Sequence, residues 1–147
     1  LRAQLAAPKL VGREPALVTA AVEEVVRWAT PVNYMQRTAA RSVDLGGQRI
    51  EKDDKLVLFY ASANRDEEIF DDPYRFRVDR EPNRHLGFGI GEHFCLGAHL
   101  ARRSQRALFA ELARRLESVE LAGEPEWIRS SFVVGLKRLP IRYRVRA

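Results

Sequence analysis

The chain has 147 residues, of which 46% are hydrophobic and 31% charged, enough apolar material for one buried core and too little for two. Lys and Arg total 25 against 20 Asp and Glu, a formal charge of +5, which suits an acidic partner without identifying one. A single cysteine, Cys95, excludes an intramolecular disulfide, so nothing points to an oxidising compartment and the cytoplasm is the expected location.

The longest apolar stretch, Leu56 to Ala63, falls far short of the roughly 18 residues read as a membrane span. No basic-then-apolar signal segment opens the chain, so a soluble protein without a membrane span is expected. The first residue is Leu rather than Met, and Leu1 to Gly12 reads as the interior of something longer. Residues 1–147 are therefore expected to form a single, partial domain.

Pro15 is a suitable first helical residue, and Leu17, Ala21, Val22, Val25 and Trp28 recur at helical spacing until Pro31 stops the pattern. The spacing predicts a helix over about Pro15 to Ala29. Arg37 to Leu45 partly alternates as a strand does, Gly46-Gly47 signals a hairpin, and Gln48 to Ile50 returns. Leu56 to Tyr60 has no polar alternate, which predicts a strand covered on both faces and, with its neighbours, a small antiparallel sheet.

Asn64 to Arg84 is too long and charged for a tight turn and too irregular for a strand. Its aromatics Phe70, Tyr74 and Phe76 favour an ordered excursion. From Leu96 onward Leu100, Ala101, Leu108, Leu112 and Leu116 form an apolar stripe flanked by Arg102, Arg103, Arg106, Arg114 and Arg115, the longest predicted helix. The tail alternates Ile141, Tyr143 and Val145 with Arg142, Arg144 and Arg146, as a half-buried strand does.

The chemistry concentrates in residues 85–102, HLGFGIGEHFCLGAHLAR. Cys95 follows a glycine-rich loop and precedes the long helix, where unpaired N–H groups and the helix dipole favour a thiolate. Gly87, Gly89 and Gly91 free the approach segment, and Gly97 keeps the first helical turn thin, so a large flat object fits close to the backbone. A lone cysteine is most often a small buried hydrophobe, but these neighbours argue for a ligand. A dinucleotide loop fits poorly, because Glu92 interrupts the glycine spacing and no clear strand precedes it. Cys95 and His99 at i, i+4, with His93 and His85 nearby, leave a zinc-stabilised domain open. The Arg-rich helix leaves open a basic module that binds nucleic acid.

Phe88, Gly91, Cys95 and Gly97 match F-x-x-G-x-x-x-C-x-G, and the chain thereby resembles the cytochromes P450 over essentially its whole length, most of all the bacterial soluble members. The resemblance implies a mixed α+β, mainly helical C-terminal region of that fold, with a small antiparallel sheet, an irregular meander, the Cys haem loop and a long helix. It implies haem b (iron protoporphyrin IX), with Cys95 as the axial thiolate that favours O–O cleavage, so Cys95 carries both the metal and the catalytic role. Phe88, Gly89 and Gly97 belong to the same cofactor site, Phe88 as its aromatic shield. His93 and Arg37 match propionate contacts, and a guanidinium suits a carboxylate.

Glu24 and Arg27 match the family's E-x-x-R, joined by an Arg from a P-x-R-F segment, here Arg75. These three form a structural lock rather than a catalyst. The implied activity is monooxygenation: O2 is activated opposite Cys95, electrons come from a ferredoxin-type or other electron-transfer protein, and an apolar small molecule is hydroxylated, with no role for nucleic acid. The segments VNYMQRTA, YASANRDE, GEHFCLGAHLAR and RSSFVVGLKRLP resemble those of members that oxidise sterols or branched lipids. Ser104 departs from the Glu that many relatives carry after L-A-R-R. The family's long central helix, with its oxygen-activating acid and alcohol, is not in these residues, so turnover is expected of an intact parent and not of this fragment alone.

Overall fold

The computed structural model describes residues 15–146. Leu1 to Gly12, read above as chain interior, lie outside the described residues. Helix α1 runs over Pro15–Ala29, as its spacing predicts. It ends where Thr30 turns to φ +39° with its N–H still bonded to the Val26 carbonyl (2.9 Å), and Pro31 bars another turn. The long helix, here α3, spans Ala98–Arg115. Between them lie one short α-helix, α2, Tyr60–Ala63, and a single 3-10 turn over Gly91–His93.

The strands are β1 (Tyr34–Thr38), β2 (Val43–Leu45), β3 (Gln48–Ile50), β4 (Lys55–Phe59), β5 (Leu116–Leu121), β6 (Glu126–Trp127), β7 (Leu136–Arg138) and β8 (Ile141–Val145). They form four two-stranded antiparallel ladders, β1–β4, β2–β3, β5–β8 and β6–β7. The stretch predicted as one strand from Arg37 to Leu45 is thus two strands in separate ladders. Gly46 and Gly47, at φ +56° and +76°, make the two-residue turn between β2 and β3, which needs positive φ at both positions. Helix and strand take comparable shares of the described residues, a correction to the mainly helical balance expected.

The core is small. Val18, Ala21 and Val22 of α1 meet Phe109 of α3, and Leu17, Val25, Phe76, Val78 and Ala113 close around them. Ala98 and Phe109 are the buried residues of α3. Leu96, Leu100 and Leu108 of the predicted stripe are exposed at 99%, 70% and 54%, because the face turned to α1 begins at the small Ala98 and passes through Arg102 instead. Val57, Leu58 and Phe59 of β4 are likewise exposed: β4 pairs only with β1, and nothing among the described residues covers its outer side. The same holds for Ile141, Tyr143 and Val145 of β8, which pairs with β5, a strand that the helical spacing through Leu116 conceals.

The excursion over residues 64–84 is ordered. Phe70 is buried, Phe76 meets Trp28 edge to face at 5.6 Å, and Tyr74 lies outside at 70% exposure. The segment after Pro31 meets the turn near Ser131 through a Val32–Val133 bridge, with the Asn33 N–H donating to the Phe132 carbonyl (2.9 Å). Among the described residues no helix is long and apolar enough to cross a membrane.

Candidate functional site

The loop before α3 is pinned at both ends. The Leu86 N–H donates to Asn64 Oδ1 (2.6 Å), and Gly87 passes so close to α1 that a Cβ there would stand 2.6 Å from Val26 Cγ1. Val26 is stiff at χ1, so Gly87 is a steric requirement. Gly89 and Gly91 take φ +72° and +73°, the left-handed region that glycine enters without penalty. The loop then folds back: the Cys95 N–H donates to the Phe88 carbonyl (2.9 Å), and the Ala98 N–H donates to the Cys95 carbonyl (3.1 Å).

Cys95 is free and exposed. A Cβ on Gly97 would stand 3.9 Å from its Sγ, so the sulfur lies against the start of α3. Among the described residues the N–H groups of Leu96 and Gly97 donate to no backbone carbonyl, which leaves them free to stabilise negative charge on sulfur.

Cys95 opens on a cleft of about 340 Å³ lined also by Val32, Met35, Arg37, Tyr60, Gly87, Phe88, Gly89 and His93. The structure therefore brings Cys95, His93, Arg37, Phe88 and Gly89 to one space, with Gly97 beneath the sulfur. Sequence reasoning missed Val32, Met35 and Tyr60. Met35 and Arg37 stand two residues apart in β1, so their shared face was available from alternation alone.

Behind the loop, Glu24 and Arg27 are completely buried. The Glu24 carboxylate accepts five hydrogen bonds: from Arg27 Nε (2.7 Å) and Nη2 (2.8 Å), Arg80 Nε (3.1 Å), Asn83 Nδ2 (3.1 Å) and the Arg77 N–H (2.8 Å). Arg27 also donates to the carbonyls of Asn64, Pro73 and Arg75. The second guanidinium on Glu24 is thus that of Arg80, which is 4% exposed. Arg75 is a correction: its side chain is exposed, and only its carbonyl joins the cluster, accepting from Arg27 and Arg80. The residue after P-Y points outward because the chain turns there, with the Arg75 N–H donating to the Asp72 carbonyl (2.9 Å).

A second acidic centre stands one residue away. Glu23 accepts from Arg102 Nε (2.8 Å) and Nη2 (2.9 Å) and from His85 Nε2 (3.0 Å), and Arg106 lies 3.9 Å off. Burial works to raise the Glu23 pKa, but the hydrogen bonds from His85 and Arg102, with the charge of Arg102, outweigh it and hold the carboxyl at about 2 against an ordinary 4.5. A depressed folded-state pKa contributes stability that is fully present above 4.5 and is lost as pH falls toward 2. The stability advantage of the parent over Glu23→Gln is therefore expected to grow with pH across that window and to level off above it. Urea unfolding of both proteins at several pH values checks this; an advantage that ignores pH counts against the paired carboxylate.

The sequence profile of one family, Cytochrome P450, matches residues 15–145. The chain belongs to the cytochrome P450 family. It is 48% identical over 134 residues to Cytochrome P450-terp of a Pseudomonas species, covering 91% of this chain and 31% of that protein. To the methyl-branched lipid omega-hydroxylase of Mycobacterium tuberculosis it is 50% identical over 128 residues, covering 86% of this chain and 30% of that one. The crystal structure of CYP109E1 from Bacillus megaterium in complex with testosterone superposes with a TM-score of 0.86 at 37% identity, over 97% of this chain and 40% of the other. The chain thus spans about a third of the length of these P450 relatives.

The cytochromes P450 use haem b, and the donor set of the cleft fits it: an exposed thiol for iron, glycines where a flat ring must pass, and Arg37 and His93 on the same space for acidic groups. The zinc alternative finds no support, since the described residues hold no group of three or more His, Cys, Asp or Glu arranged for a metal ion.

Proposed function

We propose that this chain is the haem-thiolate portion of a P450 monooxygenase, with Cys95 as the iron ligand. The observation that carries the proposal is the exposed Cys95 sulfur facing one cleft together with Arg37, His93 and Phe88. Haem b, when bound, supplies the activation of O2 and the one-electron chemistry. The residues of this chain do the rest. Cys95 would ligate as thiolate, with the N–H groups of Leu96 and Gly97 holding its charge and Phe88 lining the same cleft. Arg37 and His93 hold the propionates. Glu24, Arg27 and Arg80 fix the loop's support.

The substrate is an apolar molecule of the sterol or branched-lipid class. Support comes from the lipid hydroxylase named above, from the testosterone complex and from the apolar segment around Val32, Val133 and Phe132, where Phe132 meets Tyr34 at 5.7 Å. Electrons come from a ferredoxin-type or other acidic electron-transfer protein. Its docking face centres on Arg103, with Arg106 at its edge, because Arg102 is turned inward to Glu23 and Arg106 stands 3.9 Å from the same carboxylate. Turnover belongs to the intact cytoplasmic protein, of which residues 1–147 form part of one domain. A nucleic-acid module is disfavoured, since Arg102, Arg114 and Arg115 of the basic helix are engaged by Glu23 and Glu111.

The test is a haem titration of the purified protein followed by the visible spectrum of its reduced, carbon monoxide-treated form. One haem per chain with a thiolate-type band is expected. A protein that stays colourless after haem addition, or binds DNA in a strongly salt-dependent way, overturns the proposal.

A further inference from the structure

His85 has a side chain only 2% exposed, and none of the roles assigned above uses it. Its two ring nitrogens face different partners. Nδ1 accepts from the Gly87 N–H (3.1 Å), while Nε2 lies 3.0 Å from Glu23 Oε2. A nitrogen that accepts from a backbone N–H carries no proton, so the proton sits on Nε2 and is donated to Glu23. The same carboxylate holds Arg102 through both Nε and Nη2, and the Arg102 guanidinium stacks on the Phe88 ring at 4.5 Å.

Phe88 is thus held from two sides by one acid. Its backbone is fixed through Gly87 and His85, and its ring through Arg102. Phe88 in turn is where the Cys95 N–H is bonded. Any loosening of Phe88 therefore reaches the residue that bears the sulfur within one hydrogen bond.

We propose that Glu23, acting through His85 and Arg102, is the positioning residue for Phe88 and so for the Cys95 thiolate. The proposal rests on the haem-thiolate reading given above. Glu23 touches no cofactor; it sets the geometry in which the sulfur is presented. The acid is well suited to this because it draws α1, the loop and α3 to one point, and outer partners of this kind commonly alter retention of a metal centre by about 10-fold or more.

The design of the test follows from the two nitrogens of His85. In His85→Asn, the shorter amide can still accept from the N–H two residues on, as an Asx turn does, but cannot reach Glu23 in the same way. In His85→Gln, the longer amide can reach Glu23 but leaves Gly87 without its acceptor. Each variant, with Glu23→Gln and the parent, is loaded with haem. Two quantities are read: the rate of haem transfer to excess apomyoglobin and the fraction of the reduced carbon monoxide complex that keeps the thiolate-type band.

Glu23→Gln and both His85 variants are expected to lose haem about 10-fold faster and to shed the thiolate band with time, His85→Asn because the acid no longer reaches the loop and His85→Gln because Gly87 is released. Far-UV circular dichroism melts confirm that the variants compared are folded. The proposal is overturned if Glu23→Gln, or either His85 variant, behaves as the parent on both readouts. A parent that never shows the thiolate band fails the haem-thiolate reading itself, which keeps the two failures apart.

Discussion

Cys95→Ser is expected to abolish the thiolate-type spectrum of the reduced, carbon monoxide-treated protein while leaving the fold intact. The two effects separate because of where the residue lies. Its side chain is exposed on the cleft and belongs to neither the apolar core nor the Glu24 cluster, so a swap of sulfur for oxygen changes stability by no more than about 0.5 kcal/mol, the range of a surface substitution. The ligand chemistry, in contrast, depends on charge. A thiol ionises far more readily than an alcohol, and the free N–H groups at the start of α3 favour the anion further. A serine there stays neutral and makes a poor ligand. The measurement is the spectrum together with a thermal melt. An unchanged band in Cys95→Ser refutes the ligand assignment, and a collapsed fold would show that the side chain carries packing that the structure does not display.

Much of this site is legible in the sequence because its parts are local. The glycines, Phe88 and Cys95 lie within a few residues of one another, and the demands on them are those of one loop: positive φ at Gly89 and Gly91 and a close pass at Gly87. Helix α1 was legible for a similar reason, since proline at its start and proline after its end punctuate a clean helical spacing. What could not be read was long-range. His85 and Glu23 lie 62 residues apart and Arg102 and Glu23 lie 79 apart, and nothing in their local sequence marks them as partners.

The apolar patterns misled where the described residues supply no second layer. The stripe from Leu96 to Leu108 and the run Val57 to Phe59 read as buried, yet they are exposed. Apolar residues at a regular spacing report a face that favours burial, and the partner that covers it is a separate matter. The tail shows the same thing, with Ile141, Tyr143 and Val145 in register with β5 but open on both sides.

The acidic cluster at Glu24 shows the limit most sharply, because several arginines of one segment were candidates for a single role. Arg75, Arg77 and Arg80 all lie in the excursion, and composition cannot say which turns inward. Arg80 does, since its guanidinium reaches Glu24 and the carbonyls of Asp71, Asp72 and Arg75 together. Arg27→Ala and Arg80→Ala are therefore expected to be strongly destabilising, on the order of 3–5 kcal/mol for Arg27, a large part of the 5–15 kcal/mol of a typical domain. Arg27 is the worse loss because its removal takes two bonds from a buried carboxylate and strands the carbonyls of Asn64 and Pro73. Arg75→Ala is expected to change stability by less than about 0.5 kcal/mol, for the backbone carbonyl that Arg75 contributes survives the substitution. Chemical unfolding of the three variants side by side decides the matter: equal losses for Arg75 and Arg80 would mean that the inward guanidinium has been assigned to the wrong residue, and a fully stable Arg27→Ala would mean that the cluster does not hold the excursion to α1.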